Sequence, residues 1–362
     1  MHFRLLAILP LLCLLCAPAL AAPAQVALLH SDRSSTPWTD AVAAGLAEGL
    51  GADGEVRRVF VRPESESEDA YDDMFEALSA ELAGYSAQYV VADGEIAFAF
   101  ARKYGPLLFP NAPVVACSLP EADAGDMALC TDCAAIPMGY DIPASVDLIF
   151  AMRPATRLVV AVADNAEESR PLMDAANKAM GKYADRAQVL FPGFEPGNDR
   201  KLDLDLLGET LASVPSDGVV LVLDYSEEPD ETPVSDGQLE ALFREKIASP
   251  VFVMRDAWPD SGVVGGLMIS GVDAGRDAAG LVRRALGGEP IREMLPRPTA
   301  PSLRFDGTAL ARFGLQVPEQ AGVVNTPQAV EESPALPVTG LAWGFGLAAV
   351  VGLFVYLRRY RP

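Results

Sequence analysis

The stretch GVVLVLD, residues 218–224, gives the clearest strand signal in this chain. Its apolar residues follow one another without interruption and are mostly β-branched, which predicts a short strand buried on both faces. Such strands are typical of a parallel sheet that is covered by helices on both sides. Similar runs occur at residues 25–30, 55–61, 89–92, 113–117, 157–163, 187–191, 250–254 and 265–270.

Amphipathic helices are predicted between these strands. In residues 67–82, apolar side chains recur at the three- and four-residue spacing of a helix that packs on one face. Further helices are predicted over residues 37–50, 95–104, 167–183, 202–213 and 237–248. The alternation of strands and helices predicts an α/β fold with two Rossmann-like, doubly wound lobes.

The predicted elements form two sets of similar size, which divide near residues 140–155. We therefore expect a first lobe over residues 22–145 and a second lobe over residues 146–270. A closing helix and a returning segment are expected over residues 271–317. Residues 318–337 mix Pro, Glu, Gln and Val without periodicity, which predicts a linker.

The composition limits the function of the chain. Its 362 residues include 50 acidic and 28 basic side chains, for a net charge of −22. A surface of that sign repels phosphate backbones, so nucleic acid is not an expected partner. The two histidines, His2 and His30, are too few for a histidine metal cluster. Since no dinucleotide or Walker glycine motif occurs either, we expect neither a metal nor a cofactor.

The first 21 residues are typical of a secretory signal peptide. Arg4 precedes an apolar run over residues 5–15, and Ala19, Leu20 and Ala21 fit the small-x-small cleavage pattern. We expect cleavage after Ala21. Lipoprotein processing at Cys16 is a weaker alternative, because Leu15 stands where such processing needs a small residue.

The other end of the chain predicts a single-pass membrane anchor. Residues 338–357 are apolar and long enough for a spanning helix, and arginines follow in a short tail over residues 358–362. Basic residues beside a span stay in the cytoplasm. The body of the protein should therefore be exported and held at the periplasmic or extracellular face of the cytoplasmic membrane.

A sorting-like motif precedes the predicted span. Leu336, Pro337, Thr339 and Gly340 complete an LPxTG pattern, which together with the apolar stretch and the basic tail resembles a sortase signal. Under that interpretation the chain is cut between Thr339 and Gly340 and joined to the cell wall. The retained anchor and the cell-wall attachment both stay open.

Three cysteines follow the predicted signal peptide. In an oxidising compartment the closely spaced Cys130 and Cys133 predict a disulfide. A redox-active pair normally opens a helix after a strand, whereas residues 134–137 are predicted to be a loop. A pairing that involves Cys117 is the remaining alternative.

Five stretches of the body follow the order of a known family. Residues 25–46 contain a strand, a Ser-rich loop and Pro-Trp-Thr at a helix start, and the pattern continues through residues 89–119, 146–164, 262–290 and 302–318. It resembles the periplasmic substrate-binding proteins of the ABC-transporter type, which also serve as ectodomains of bacterial sensor histidine kinases. The resemblance implies the type 1 periplasmic-binding fold, whose two lobes are joined by hinge crossovers and close on a small ligand. It also implies an ABC permease or a membrane signalling protein as partner.

Ligands of open α/β sheets bind at the carboxyl ends of the strands. By that rule the predicted ligand-binding residues are Ser31, Trp38, Asp93, Ser118, Asp164, Asp224, Tyr225, Arg255 and Trp258. Other residues in equivalent positions are Asp32, Glu95, Cys117, Asn165 and Asp256. Each position also has a structural explanation: packing of the aromatic rings, capping by the aspartates, or an ion pair of the arginine.

The ligand is expected to be a small, amino-acid-like solute. Arg255 is the best candidate to bind a ligand carboxylate through two hydrogen bonds. Trp258 or Tyr225 would cover an apolar or planar part of the ligand. The surplus of acidic residues favours a ligand that carries an amino or other cationic group.

The leading expectation for function is a solute-binding protein that is not an enzyme. A secreted enzyme on a Rossmann-like scaffold is disfavoured, because His30 is the one histidine of the mature body and no GxSxG nucleophile motif occurs. A surface-display protein attached through the sorting-like motif is the third interpretation. The acidic loop over residues 227–231 lacks the spacing of an EF-hand, so we expect it to be solvated rather than to bind calcium.

Overall fold

The computed structural model describes residues 22–325, apart from positions 64, 66, 120–129, 131, 167, 168, 196, 198, 231, 257, 259, 296, 319 and 320. The predicted signal peptide, sorting-like motif, membrane helix and cytoplasmic tail lie outside these residues, as does most of the predicted linker. Among the helices of the described ranges, none is both long and apolar enough to cross a membrane.

The first sheet is built from parallel strands β1 (Ala24–His30), β2 (Gly54–Phe60), β3 (Tyr89–Asp93), β4 (Val114–Leu119) and β5 (Cys133–Pro137). Their order in the sheet is β2-β1-β3-β4-β5. The connecting helices are α1 (Pro37–Leu50), α2 (Glu68–Glu81) and α3 (Glu95–Leu108).

Strand β1 is buried on both faces, as its uninterrupted apolar sequence predicts. Because successive side chains point to opposite faces, Val26 and Leu28 pack with Leu46 of α1. Ala27 and Leu29 pack on the other face with the side of the lobe that contains α2 and α3. The first lobe is therefore a sheet between two layers of helix.

The second lobe begins with α4 (Ile142–Met152), β6 (Leu158–Val162), α5 (Ser169–Met180), β7 (Gln188–Leu190), α6 (Leu204–Ser213) and β8 (Gly218–Val222). The chain continues with α7 (Asp236–Lys246), β9 (Val251–Val253), β10 (Gly265–Met268), α8 (Gly271–Leu286), β11 (Ser302–Asp306), α9 (Gly307–Phe313) and β12 (Gly322–Val324). The sheet order is β12-β11-β10-β9-β8-β6-β7, and the pairing of β10 with β11 is its antiparallel one. The predicted α/β class with two lobes is confirmed.

Helix α8 packs on the first lobe although it follows a strand of the second. It lies against α1 so closely that a Cβ on Gly45 would come within 2.0 Å of the Val272 carbonyl oxygen. A Cβ on Gly275 would lie 2.1 Å from the Val42 carbonyl oxygen. The chain therefore passes between the lobes three times, before α4, before α8 and before β11.

Two of these crossovers run side by side. The amide of Gly139 donates to the Thr299 carbonyl at 3.1 Å, and the amide of Thr299 donates to the Pro137 carbonyl at 3.0 Å. Met138 and Thr299 form an isolated parallel bridge at the same place. The two connections thus form one short hydrogen-bonded link between the lobes.

The predicted strands and helices between residues 25 and 270 are all present, with boundaries that differ by no more than four residues. Three elements differ from expectation. Residues 134–137, predicted to be a loop, belong to the buried strand β5. Helix α4 was not predicted and crosses the expected lobe boundary at residues 145 and 146. The predicted linker contains β12, which pairs with β11.

The predicted disulfide joins Cys130 to Cys133, with their Cα atoms 5.6 Å apart. It lies immediately before β5, since Cys133 is the first residue of that strand. Cys117 is a buried free thiol, so the alternative pairing through Cys117 is wrong.

Candidate functional site

A cleft of about 400 Å³ lies at the carboxyl ends of strands from both sheets. The first lobe contributes Ser31, Asp32, Trp38, Arg62, Asp93, Gly94, Glu95, Ile96 and Ser118. The crossover after β5 contributes Met138 and Tyr140, and the second lobe contributes Asp224, Ser226, Glu227, Pro233 and Arg255. A molecule in this cleft would touch both lobes and the connection between them.

Most of the predicted site residues come together in this cleft. The cleft lining includes Ser31, Trp38, Asp93, Ser118, Asp224 and Arg255, and also the neighbouring Asp32 and Glu95. It does not include Asp164, Tyr225, Trp258, Cys117, Asn165 or Asp256.

The carboxylate of Asp93 is engaged by the first lobe itself. Its Oδ2 lies 2.9 Å from Nδ1 of the fully buried His30, and Nε1 of Trp38 donates to its Oδ1 at 3.3 Å. Arg58 Nε donates to the other ring nitrogen of His30, which assigns the ring proton to Nδ1. Asp93 therefore fixes the indole of Trp38 at the cleft, and both of its oxygens already have a partner.

The hydroxyl of Ser31 stabilises the start of α3. It donates to the Asp93 carbonyl at 2.7 Å and accepts from the Ala97 amide at 2.9 Å. Gly94 precedes the helix with a φ of +88°, and a Cβ there would lie 2.6 Å from Ser31 Oγ. Gly94, the N-cap residue, has no side chain that could cap the helix, so the Ser31 hydroxyl caps it instead.

Ser118 lies in an irregular stretch at the end of β4. The pairing of β4 with β5 shifts register between Ala116 and Leu119, and Ser118 has a φ of +59°, which is uncommon for a residue with a side chain. Ser118 is only 8% exposed, and within the described ranges its hydroxyl has no hydrogen-bond partner. Burial raises the pKa of the adjacent Cys117 thiol, and a weak interaction with the Ser118 hydroxyl acts in the opposite direction, but this contact does not have the geometry of a hydrogen bond.

Such a position is costly. A buried polar group without a partner destabilises a protein by on the order of 1–3 kcal/mol, and an unusual backbone conformation adds to that cost. Both features of Ser118 occur where it lines the cleft. The arrangement offers a hydrogen-bonding group that a molecule in the cleft would satisfy.

Arg255 lies between the lobes, and its charge is already paired. The guanidinium donates to both carboxylate oxygens of Asp236, at 2.7 and 3.5 Å. It also lies over two indole rings, 4.8 Å from the centroid of Trp258 and 5.8 Å from that of Trp38. Asp236 therefore already occupies part of the guanidinium and compensates its charge, which weakens the attraction of Arg255 for a ligand carboxylate.

Asp32 faces the cleft without a direct partner. Its carboxylate makes no hydrogen bond or ion pair with the described part of the chain, and the residue is half-buried. Burial, with a smaller contribution from nearby carboxylates, raises the pKa of Asp32 to about 6. The charged groups that act on it are Asp236, Asp93, Arg255 and Arg62.

Asp224 is the corresponding carboxylate of the second lobe. One of its oxygens accepts from the backbone amide of Tyr225 at 2.9 Å. Burial raises the pKa of Asp224 to about 6, although the charge of Arg255 acts in the opposite direction. The neighbouring carboxylates of Asp164 and Asp236 contribute to this rise.

Asp164 and Tyr225 were predicted to bind ligand, and the structure assigns them structural positions. Asp164 is fully buried and accepts from the Ser169 hydroxyl at 2.5 Å and from the Ser226 amide at 2.9 Å, which ties together the loops after β6 and β8. Tyr225 follows Asp224 directly, so its side chain points the opposite way and packs in the core.

Trp258 is also placed in the core rather than in the cleft. It is 3% exposed and packs edge-on against Phe243, and the Arg255 side chain that lines the cleft lies over its ring. Neither Trp258 nor Tyr225 lines this cleft, and ligand contact by either residue stays a prediction. The aromatic residues at the cleft are Trp38 and Tyr140.

Several solved structures have a fold similar to that of this chain. An ABC domain from Streptococcus pneumonia in complex with L-Trp is 15% identical, with a TM-score of 0.56, covering 83% of this chain and 99% of that one. A conserved domain protein from Vibrio cholerae is 14% identical, with the same TM-score and coverage. A substrate-binding protein with adhesive properties from Clostridium difficile, in its ligand-free open form, is 13% identical, with a TM-score of 0.54, and covers 84% of this chain and 99% of that one.

This chain has the type 1 periplasmic-binding fold. Identities of 13–15% establish the fold and leave the ligand open. No protein-family model matches the sequence, and no curated protein matches it significantly. The fold implied by the resemblance of residues 25–318 is confirmed.

Some of the residues that line the cleft were not predicted from the sequence. Arg62 follows β2 just as Asp32 follows β1, so the strand-end rule would have found it had it been applied to β2. Met138 and Tyr140 were missed because β5 was not recognised as a strand. Ser226 and Glu227 follow β8, and Glu227 begins the loop that we expected to be solvated.

Within the described residues, no cluster of three or more His, Cys, Asp or Glu side chains could hold a metal ion. In the acidic loop after β8, Glu228 accepts from the amide of Leu204 and Asp230 from the amide of Thr232. These two carboxylates therefore accept hydrogen bonds from backbone amides of the protein.

Proposed function

We propose that this protein is an exported solute-binding protein that closes its two lobes on a small molecule and does not transform it. The observation that carries the proposal is the cleft of about 400 Å³, lined by polar groups of both lobes and of the crossover. A ligand that contacts both lobes favours the closed arrangement over the open one. The unpaired hydroxyl of Ser118 supports a cleft made to receive a polar ligand.

Ligand-induced thermal stabilisation tests this proposal. A molecule that binds the folded chain alone raises its stability by RT ln(1 + [L]/Kd), about 2.7 kcal/mol at a hundredfold excess over Kd. We expect a library of amines, amino acids, carboxylates and sugars to contain at least one compound that raises the melting temperature. That compound should be recovered unchanged after prolonged incubation. Conversion of a compound into a product would favour a secreted enzyme instead, and a complete lack of binding would contradict the proposal.

The partner and the location are part of the same proposal. The N-terminal signal peptide and the C-terminal span over residues 338–357 would hold the protein at the outer face of the cytoplasmic membrane. From there it would present its ligand to an ABC permease or to a membrane signalling protein. Cross-linking in intact cells, followed by mass spectrometry, should capture one of these two classes of membrane protein.

A cell-wall-attached protein is the second candidate. The LPxTG pattern ending at Gly340 favours it. The mass of the mature protein separates the two candidates, because sortase transfer removes every residue after Thr339, whereas a retained anchor leaves the arginine tail in place.

A further inference from the structure

The formal charge of the cleft is negative. Its lining contains five carboxylates and two guanidiniums. Both guanidiniums lie beside carboxylates of the protein: Arg255 forms an ion pair with Asp236, and Arg62 acts on the charge of Asp32. The cleft therefore attracts cations and repels anions.

The carboxylates of the cleft differ in how far the protein satisfies them. Asp93 uses both oxygens within the first lobe. Asp32 makes no hydrogen bond with the described residues, and Asp224 accepts one from the amide of the next residue. One incompletely satisfied carboxylate is thus contributed by each lobe, and both line the same cleft.

A second observation points to a ligand independently of these charges. Ser118 lines the cleft, is more than nine-tenths buried and has no hydrogen-bond partner in the described ranges. Its hydroxyl can accept from an N–H group or donate to an oxygen. The cleft thus offers two carboxylates and one hydroxyl to its occupant.

A ligand carboxylate would meet only guanidiniums that already act on carboxylates of the protein, Arg255 on Asp236 and Arg62 on Asp32. The guanidinium of Arg255 donates hydrogen bonds to both oxygens of Asp236 and lies over the rings of Trp38 and Trp258. Placing a further anion beside Asp32 and Asp224 would bring like charges together. The geometry therefore disfavours amino acids and other carboxylates relative to amines.

We propose, building on the proposed solute-binding function, that the ligand is a small organic cation without a carboxylate, whose ammonium group is held between Asp32 and Asp224. Because these residues belong to different lobes, the ammonium group itself stabilises the closed arrangement. The hydroxyl of Ser118 hydrogen-bonds a second polar group of the ligand. The aromatic ring of Tyr140 lines the same cleft and provides a face for the cationic or apolar part.

The test compares probes that share a carbon skeleton and differ in charge. The purified chain is titrated by calorimetry with tyramine, L-tyrosine and 4-hydroxyphenylacetate, with cadaverine and L-lysine, with choline and with arabinose. Titrations at 0.15 M salt suppress weak attraction of cations to the acidic surface. We expect at least one amine to bind, and to bind at least tenfold more tightly than its carboxylate-bearing counterpart.

Matched variants locate the binding. Asp32→Asn and Asp224→Asn should each weaken the binding of the amine at least tenfold. Asp217→Asn makes the same change in charge at an exposed position that precedes β8, and it should leave the affinity unchanged. The melting temperature of each unliganded variant reports whether it is folded.

The outcomes separate this inference from the proposed function. If an amino acid, a carboxylate or a sugar binds in preference to every amine, the solute-binding function stands and the cation inference is wrong. The same holds if an amine binds equally well to the Asp32 and Asp224 variants. If no compound of any class binds, or if a bound compound is turned over, both proposals fail.

Discussion

Single residues of the cleft carry strain that the fold alone does not require. Ser118 combines a φ of +59° with a buried hydroxyl that has no partner in the described ranges. Elsewhere in the cleft, Ser31 and Asp93 have their hydrogen-bonding capacity satisfied by the protein. At Ser118 we therefore expect a feature that lowers the stability of the unliganded protein but strengthens ligand binding.

Replacing Ser118 by alanine should separate these two effects. Ser118→Ala removes the unpaired hydroxyl, so the unliganded chain should gain about 1 kcal/mol in its free energy of unfolding. The same change should weaken ligand binding by at least about fivefold, because one hydrogen bond to the ligand is lost. Denaturant unfolding and calorimetry measure the two quantities.

Ser270→Ala is the matched control. The hydroxyl of Ser270 is also buried and unpaired in the described structure, but Ser270 does not line the cleft. This variant should gain stability and keep its ligand affinity. A Ser118→Ala variant with unchanged affinity would show that the hydroxyl does not contact the ligand.

The two carboxylates with raised pKa values predict opposite pH dependences for stability and for binding. Burial raises the pKa of Asp32 and of Asp224 to about 6, above the ordinary 3.8. Between about pH 4 and 6 the folded chain therefore binds more protons than the unfolded chain, so this contribution to stability falls as the pH rises through 6. An amine needs both groups ionised, so its affinity should fall as the pH drops below 6.

Melting curves and calorimetry at pH 5 and pH 7.5 check this prediction. The double variant Asp32→Asn with Asp224→Asn should lose the part of the pH dependence of stability that these groups cause. An affinity for the amine that is equal at the two pH values would contradict the assignment of these carboxylates to the ligand.

At the scale of elements, helix α8 follows a strand of the second lobe but packs on α1 of the first lobe, and so it connects the two lobes. Gly45 and Gly275 allow the two helices to approach until backbone meets backbone, since a Cβ on either residue would lie within about 2.1 Å of a carbonyl oxygen. Arg304 of β11 then links α8 to the second sheet by donating to Asp273 at 2.9 Å. Side chains larger than hydrogen at the contact would push α8 away from the first lobe.

Gly275→Ala should therefore destabilise the protein by about 1–3 kcal/mol, the usual cost of overpacking, or by more if α8 cannot dock. Gly280→Ala on the same helix is the control, because a Cβ there meets nothing within 4 Å. That change should be neutral or should raise stability by up to about 1 kcal/mol, since alanine favours the helix. Thermal unfolding of the two variants makes the comparison, and equal effects would argue against the close contact.

Strand β5 is one of the elements that the sequence pattern did not predict. Residues 133–137 are short and contain two alanines and a proline, so neither alternation nor β-branching marks them as a strand. Their pairing with β4 and their burial decide the outcome. Missing β5 also hid α4 and the crossover that contributes Met138 and Tyr140 to the cleft.

At the scale of the whole molecule, the link between the lobes is narrow. The crossovers near Gly139 and Thr299 are held together by two backbone hydrogen bonds, and the third crossover leads from β10 into α8. Few dihedral angles need to change for two lobes joined in this way to move as rigid bodies. The proposed function requires that motion.

Small-angle scattering should therefore detect closure. With a ligand identified by thermal stabilisation, the radius of gyration should decrease at saturation, and Asp224→Asn should reduce the decrease at the same ligand concentration. Identical scattering with and without a saturating ligand would contradict closure while leaving binding itself intact.

The sequence by itself determined the α/β class, the two lobes and the edge of the sheets at which a site would lie. Uninterrupted apolar runs such as residues 218–224 predict buried parallel strands, and the residues after such strands gather at one edge for purely geometric reasons. That rule brought Ser31, Trp38, Asp93, Ser118, Asp224 and Arg255 to the cleft.

Only the tertiary structure decided what each of these residues can do there. The alternation of side chains turns Asp224 into the cleft and Tyr225 into the core, although both follow the same strand. Pairing across the chain occupies Arg255 with Asp236 and Asp93 with His30, whereas Asp32 and Ser118 have no such partner in the described part. Whether a polar group in the cleft has a hydrogen-bond or ion-pair partner depends on residues far away in the sequence. A local sequence pattern carries no information about such partners.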